Sequence, residues 1–334
     1  MNVSPIRIFD TLRGMQQAEA LKAALELGVF TAIAKGSNTV EALAGACRAS
    51  ERGIRILADY LTIDGFLTKT ADGVYGLSPD AATFLVAGAP AYLGNAVPFL
   101  MHETQRRAME TLAEAVRKGG TALDGQGSVS DSHPAWVDFA KGMMPMMMPA
   151  AQKIADLVAN SGSLKVLDIA AGHGLFGIMI AQRNPAAQIY ALDWPKVLEV
   201  AQQHAAQFGV EAGRYHLVSG NAFEIEYGSD YDVVLLTNFL HHFDHATNVD
   251  LLRKVHKALK PGGKAVILEF VPNDDRVTPP EAAGFALTML AATPSGDAYT
   301  FRELDAMCRE AGFQPAAVHD APPSPEKIVI ATKG

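Results

Sequence analysis

LKVLDIAAGHGLFG, residues 164–177, is the stretch that decides how this chain folds. Leu164, Val166, Leu167 and Ile169 form a short apolar run suited to a strand buried on both faces, and Asp168 sits near its carboxyl end. The small residues Ala170, Ala171, Gly172 and Gly174 let the backbone turn sharply and approach a ligand closely, after which Leu175 to Gln182 reads as a helix. Strand, glycine loop and helix make the nucleotide-binding first unit of a doubly wound α/β sheet.

Two ligand classes use such a unit. Gly172-His173-Gly174-Leu175-Phe176-Gly177 satisfies the loose dinucleotide pattern G-x-G-x-x-G, which would serve an NAD-type oxidoreductase. A carboxylate at the strand tip repels a pyrophosphate, however, and favours a ligand with ammonium and sulfonium charges, so Asp168 points to S-adenosylmethionine. Farther on, Gln188 to Leu192 reads as the next strand and ends in Asp193, where an acid can accept both ribose hydroxyls of either cofactor. The plain alternative for both acids is the capping of helices or turns.

A chain of 334 residues predicts two domains, and 49% apolar against 19% charged residues predicts that both are globular. The net charge of -8 argues against nucleic acid or an anionic membrane as the main partner. The opening MNVSPIRIFD lacks a basic segment followed by an apolar core, and no apolar run reaches membrane-spanning length, which predicts a cytoplasmic protein. Cys47 and Cys308 lie far apart without ligand-like spacing and read as reduced core thiols.

Toward the amino terminus, residues 5–34 read as helical, with Gly28 as a stop. Asn38 and Glu41 suit a capping pair for a second helix, and Ser50 starts a third. Phe66 to Thr70 and Val74 to Leu77 then form a short hairpin around Ala71-Asp72-Gly73. Three helices and a hairpin amount to a winged helix-turn-helix, which raises a DNA-binding regulator as an alternative. Up to Leu85, however, eight Lys or Arg face nine Asp or Glu, and a phosphate-contacting helix needs a basic excess. The element reads better as a dimerisation module whose apolar early helices meet a second copy.

Residues 90–160 read as long helices broken by Gly and Pro, with a Gly/Ser-rich segment from Gly125 to Ser132. The methionines within Phe139 to Met148 read equally as filling for an irregular helix junction and as an adaptable wall for a flat aromatic substrate. Beyond the glycine loop the α/β alternation continues: a helix from Lys196 to Phe208 and strands at Tyr215 to Val218, Tyr231 to Leu236 and Lys264 to Phe270, with a helix from Asn248 to Leu259. Ligands in such sheets sit at the carboxyl ends of the strands, where Asn221 with Phe223, Asn238 with His241, and Glu269 arrive. An amide beside an aromatic ring suits an adenine. His241 and His245, four apart, would share a helical face and raise a metal site, but no third ligand stands at a recognisable spacing.

Taken together, LDIAAGHG, ALDWP, SGNAF, LLTNFLHHF, LKPGGKAVILEF, FAKGMM and TMLAATPSGDAYTFRELDAMCREAGF resemble the class I S-adenosylmethionine-dependent methyltransferases. The chain is similar, more narrowly, to bacterial relatives of the plant caffeic-acid-type small-molecule O-methyltransferases. The resemblance implies a Rossmann-like α/β methyltransferase domain over residues 101–334, including a helical connector, and a winged-helix dimerisation domain over 1–100. It implies a homodimer acting on a small, aromatic hydroxyl compound, with S-adenosyl-L-methionine as cofactor and no metal. Asp168, Gly172, Gly174 and Asp193 with Trp194 match its cofactor-side positions, as do Asn221, Ala222, Phe223 and Asn238; the family more often has Asp at 221. Phe139, Met143 and Met289 match substrate-pocket positions, His241 the catalytic base and Glu269 an acid that orients it. Ala298 stands where a second orienting glutamate is expected, His242 replaces an Asp, and Ala170 replaces the first glycine of the loop. Tyr299, next to Ala298, is a candidate to position the substrate.

Overall fold

The computed structural model describes residues 3–130 and 133–334, which form two compact units, Met1–Val97 and Pro98–Gly334. In the first unit, the helical stretch breaks where expected: Gly28, at φ 72°, ends the helix Ile6–Leu27 and begins Val29–Ala34. The next helix, Val40–Cys47, is capped by Thr39, whose side chain accepts the Ala42 N–H, so the expected Asn38–Glu41 pair is displaced by one residue. A β-branched hydroxyl directly before the helix reaches the N3 amide more simply than the preceding amide can. Ser50 caps Glu51–Ile63 as expected. Strands β1 (Leu67–Lys69) and β2 (Tyr75–Leu77) pair antiparallel, and Phe30, Leu43, Ile54, Leu61 and Tyr75 fill the core beneath them. Asp59 ties the hairpin to the preceding helix by accepting from Tyr75 Oη at 2.7 Å and Lys69 Nζ at 2.5 Å.

The second unit is built on a seven-stranded sheet. Its strands are β3 (Leu164–Ile169), β4 (Ala187–Asp193), β5 (Tyr215–Ser219), β6 (Tyr231–Thr237), β7 (Leu259–Glu269), β8 (Ala317–Asp320) and β9 (Lys327–Thr332), in the order β5-β4-β3-β6-β7-β9-β8. The pairings among β3 to β7 are parallel, whereas β9 runs antiparallel to both β7 and β8. From β3 the chain moves outward through β4 and β5, then returns to β6 on the other side. The carboxyl ends of β3 and β6 therefore flank the switch point at which such sheets hold ligands.

Several boundaries differ from the sequence reading. The final hairpin, β8 and β9, adds two strands beyond Phe270, and β7 starts already at Leu259 with a register shift against β6 near Tyr231 and Val233. The segment before β3 is mostly short helices, Glu103–Glu110, Leu112–Lys118 and Ala135–Gly142; only Met144–Val158 is long. Within the Gly/Ser-rich segment, Gly127–Val129 forms a 3₁₀ turn, and Asp131 and Ser132 lie outside the described residues. Both cysteines are buried and unpaired. Among the described residues no helix is long and apolar enough to cross a membrane.

Candidate active site

The loop after β3 is latched from β4. Asp193 accepts the Gly172 N–H at 2.8 Å with one carboxylate oxygen and the Trp194 N–H at 2.7 Å with the other. Burial pushes its pKa up to about 6, against the pull of those two amides. Ala170 and Gly172 both have positive φ, 53° and 56°, so the alanine takes a backbone conformation normally left to glycine. At Gly174 a Cβ would lie 2.3 Å from the Tyr215 hydroxyl, which leaves glycine as the residue that fits.

Asp168 is not the open charge that its position in the sequence suggests. Its carboxyl is fully buried, with one oxygen accepting the Gly177 N–H at 3.3 Å and the other without a hydrogen-bond partner. Burial and the nearby Asp193 raise its pKa to about 8, with the Gly177 amide pulling the other way. The Leu175 N–H is likewise engaged, by His173 Nδ1 at 3.2 Å. Two of the amides at the start of the helix Leu175–Arg183 thus have acceptors within the chain, where a pyrophosphate would need them free. An orphaned buried carboxyl oxygen beside a cradle of small residues fits a ligand with a cationic amino-acid end.

The adenine-side candidates form a turn of their own. Asn221 accepts the Phe223 N–H at 3.0 Å and faces Glu224, and Ala222 is buried with its carbonyl accepting Tyr227 Oη at 2.6 Å. Phe223 is exposed at 38% and packs edge-on against Phe243 at 4.8 Å, leaving a ring that a flat ligand can cover. Trp194 caps the helix Pro195–Gln207 and packs on Ala140, Val197 and Val200. Asn238, at φ 54°, donates to Met147 Sδ at 3.4 Å, and its side-chain oxygen is buried without a partner.

His241 makes two contacts to one acid, and Phe239 a third. Glu269, at the end of β7, accepts the Phe239 and His241 amides through Oε1 at 3.1 and 3.2 Å, while Oε2 lies 2.6 Å from His241 Nδ1. With Nδ1 fixed as the donor, Nε2 carries the lone pair and is the atom able to take a proton. The turn Leu240–His242 is braced from outside. Asn248 donates to the Leu240 and Phe243 carbonyls at 2.9 and 3.2 Å, and Asp297 donates its N–H to the His241 carbonyl at 3.0 Å. Tyr299, a candidate for positioning substrate, instead donates to the Phe243 carbonyl at 2.6 Å from a buried ring. His245 does not share a helical face with His241: it opens the helix His245–Ala258 and bonds Glu310 at 3.1 Å, so the geometry behind a metal site is lacking.

Rings run continuously from the glycine loop to this turn. His173 stacks on Phe139 at 5.5 Å, Phe139 meets Trp136 at 6.0 Å, Trp136 meets His242 at 5.2 Å, and His242 meets His241 at 4.2 Å. Burial holds both His173, at a pKa of about 3, and His242 neutral. Met143 is buried where Ala135–Gly142 meets Met144–Val158, and Met289 is buried in the helix Pro280–Ala292. The sequence reading missed Phe285, whose ring stands edge-on to His241 at 4.9 Å; its signal was the spacing of four from Met289 on one helix.

Residues 110–314 match the O-methyltransferase domain and residues 9–87 the O-methyltransferase dimerisation domain. The chain belongs to the O-methyltransferase family. It is an S-adenosylmethionine-dependent enzyme with the α/β methyltransferase fold. A 3-hydroxy-5-methyl-1-naphthoate 3-O-methyltransferase from Streptomyces sahachiroi is 28% identical over 333 residues, covering 98% of this chain and 95% of its own. A phenazine O-methyltransferase from Lysobacter antibioticus is 28% identical over 79% of this chain and 78% of its own. Among solved structures, a Nostoc punctiforme PCC 73102 protein provisionally assigned as an O-methyltransferase superposes with a TM-score of 0.95 at 50% identity, over 99% of this chain and all of its own.

At Gly296 a Cβ would stand 2.2 Å from the His241 carbonyl oxygen, so Gly296→Ala must displace the turn. The expected loss is about 1–3 kcal/mol of stability and roughly tenfold or more of turnover; unchanged melting and turnover would reject the brace. The raised pKa of Asp168 means that its contribution to ligand-free stability is present at acid pH and is lost as pH climbs toward about 8. Asp168→Asn should therefore gain melting temperature over the parent progressively across that range, and a pH-independent difference would show that the acid does not titrate as its burial requires.

Proposed function

We propose that this enzyme methylates the hydroxyl oxygen of a small aromatic compound, with His241 as general base and Glu269 as the acid that orients it. The observation that carries the proposal is the 2.6 Å contact between His241 Nδ1 and Glu269 Oε2, which leaves Nε2 as the basic atom. Bound S-adenosylmethionine supplies an electrophilic methyl on a sulfonium, so the protein's task is to align the acceptor and deprotonate it. His241 takes the hydroxyl proton as the oxygen attacks, and Glu269 supports the resulting imidazolium. Phe139, Met143 and Met289, joined by Phe285 beside His241, are the proposed acceptor wall; rings and thioethers suit a flat aromatic body. The names of the naphthoate and phenazine relatives point to the same acceptor class.

On the cofactor side, Asp193 is assigned to the ribose hydroxyls and Asp168 to the cationic amino-acid end, with the backbone at Gly172 and Gly174 giving the close approach. Asn221, Ala222 and Phe223 with Trp194 are assigned to the adenine side, and Asn238 to the end nearer His241. Residues 1–100 are proposed to pair two copies into a homodimer, leaving 101–334 for catalysis. Support comes from the first helix, which exposes Ile6, Ile8, Phe9, Leu12 and Met15. A cytoplasmic setting agrees with two buried thiols that stay unpaired.

His241→Ala should leave S-adenosylhomocysteine affinity nearly intact while turnover falls roughly a hundredfold or more. Unchanged turnover would hand the proton to another group or to solvent. Asp193→Ala should do the opposite, weakening S-adenosylhomocysteine binding in calorimetry at least about tenfold; equal affinity would remove its ribose role.

A further inference from the structure

Glu326 takes no part in the site described so far. It directly precedes β9, whose first residue, Lys327, is paired with Glu269 across the antiparallel β7–β9 ladder. That register brings a second carboxyl to the end of β7. The side chain is only 3% exposed. One of its oxygens accepts from Ser324 Oγ at 2.9 Å; the other is buried without a partner at normal hydrogen-bond distance, and the Asn238 side chain acts on the carboxyl as a hydrogen-bond donor. Three groups lie close enough to act on its charge: the Glu269 carboxyl, the His241 imidazole and the Asn238 side-chain amide, whose own oxygen is also an orphan.

Elsewhere in the site, His242 is held neutral by burial with its Nδ1 unpartnered, and the Tyr299 hydroxyl donates to Phe243. Lys327 turns to Asp320 at 3.9 Å. Among the described residues, no Lys or Arg forms an ion pair with Glu326. A buried carboxyl with an unused oxygen and no such partner is a poor structural element, because an apolar residue or an amide would fill the space at less cost. Its neighbours say what it faces.

We propose that Glu326 is a positioning residue of the methyl-transfer reaction: a second acid, facing His241 and Glu269, that supports the imidazolium formed when His241 accepts the proton of the acceptor. This rests on the reading of His241 as the base. Glu269 already accepts from two backbone amides and from His241 Nδ1, so its lone pairs are committed to holding the turn in place. Glu326 has an oxygen to spare. Before the proton arrives, burial and the charge of Glu269 push the Glu326 carboxyl up to about 7, which avoids two anions side by side; a cationic His241 pulls it back toward ionisation. By the same attraction, an ionised Glu326 supports the imidazolium formed during transfer.

The test is Glu326→Gln, which keeps the shape and removes the charge. Histidine ring signals of isotopically labelled, ligand-free protein report the His241 titration midpoint by NMR, assigned by the signal missing from His241→Ala. The midpoint should fall by about half a pH unit or more, and the acid limb of the kcat/KM profile should move the same way. Turnover should drop roughly tenfold, with acceptor KM and S-adenosylhomocysteine affinity within about twofold, and Glu326→Asp should recover part of the loss. A merely structural role would lower the melting temperature and leave the midpoint in place. An unmoved midpoint and pH profile in Glu326→Gln, alongside loss of turnover in His241→Ala, overturns the role of Glu326 alone. Full turnover in His241→Ala overturns the base itself, and with it the reason for a second acid.

Discussion

The site depends on β3 being paired in parallel on both sides, to β4 and to β6. A strand so enclosed must be apolar on both faces, and Leu164, Val166, Leu167 and Ile169 meet that demand; Lys165 sends its Nζ out to the Ser229 carbonyl, and Asp168 is the polar side chain left fully buried. Because the chain leaves β3 toward β4 and later returns beside it at β6, the loops at the two carboxyl ends diverge. Everything proposed to touch the cofactor lies at the carboxyl ends of β3, β4, β5 and β6 or in the loops that follow them, Glu269 closes β7, and the proposed acceptor wall comes from helices and a junction between two of them. The sheet supplies rigidity, and the loops supply chemistry.

Glu269 then converts a strand end into a reactive geometry. One carboxylate organises a whole turn by collecting the amides of Phe239 and His241 together with the imidazole of His241. Asn248, Asp297 and Tyr299 hold the same turn from its outer side. A histidine carried by an unbraced loop would sample many orientations, and this one is limited by four residues from three separate segments.

The features most legible in the sequence were those whose cause is local. An apolar run, a cluster of small residues and an acid at the next strand end lie within about thirty residues of one another, so β3, its loop and Asp193 could be read directly. What failed to show depends on the exact residue at which an element starts or on packing between distant segments. The Asn38–Glu41 spacing fits a cap, yet Thr39 is the residue whose side chain meets an open amide. His241 and His245 are four apart in number, but the helix starts only at His245, so they share no face. The charge of Asp168 was legible and its enclosure was not, since that depends on packing around Gly177 and Ile189. Ala298 suggested an acid missing from the site; Glu326 carries no motif and comes beside Glu269 solely through the register of a hairpin that the alternation of strands and helices did not foretell.

The row of rings from His173 through Phe139, Trp136 and His242 to His241 joins the glycine loop to the turn after β6 by direct contact. Whatever a compound lodged against His173 changes in the binding of one lodged against His241, the second must return to the first in equal measure, because coupling between two sites is reciprocal.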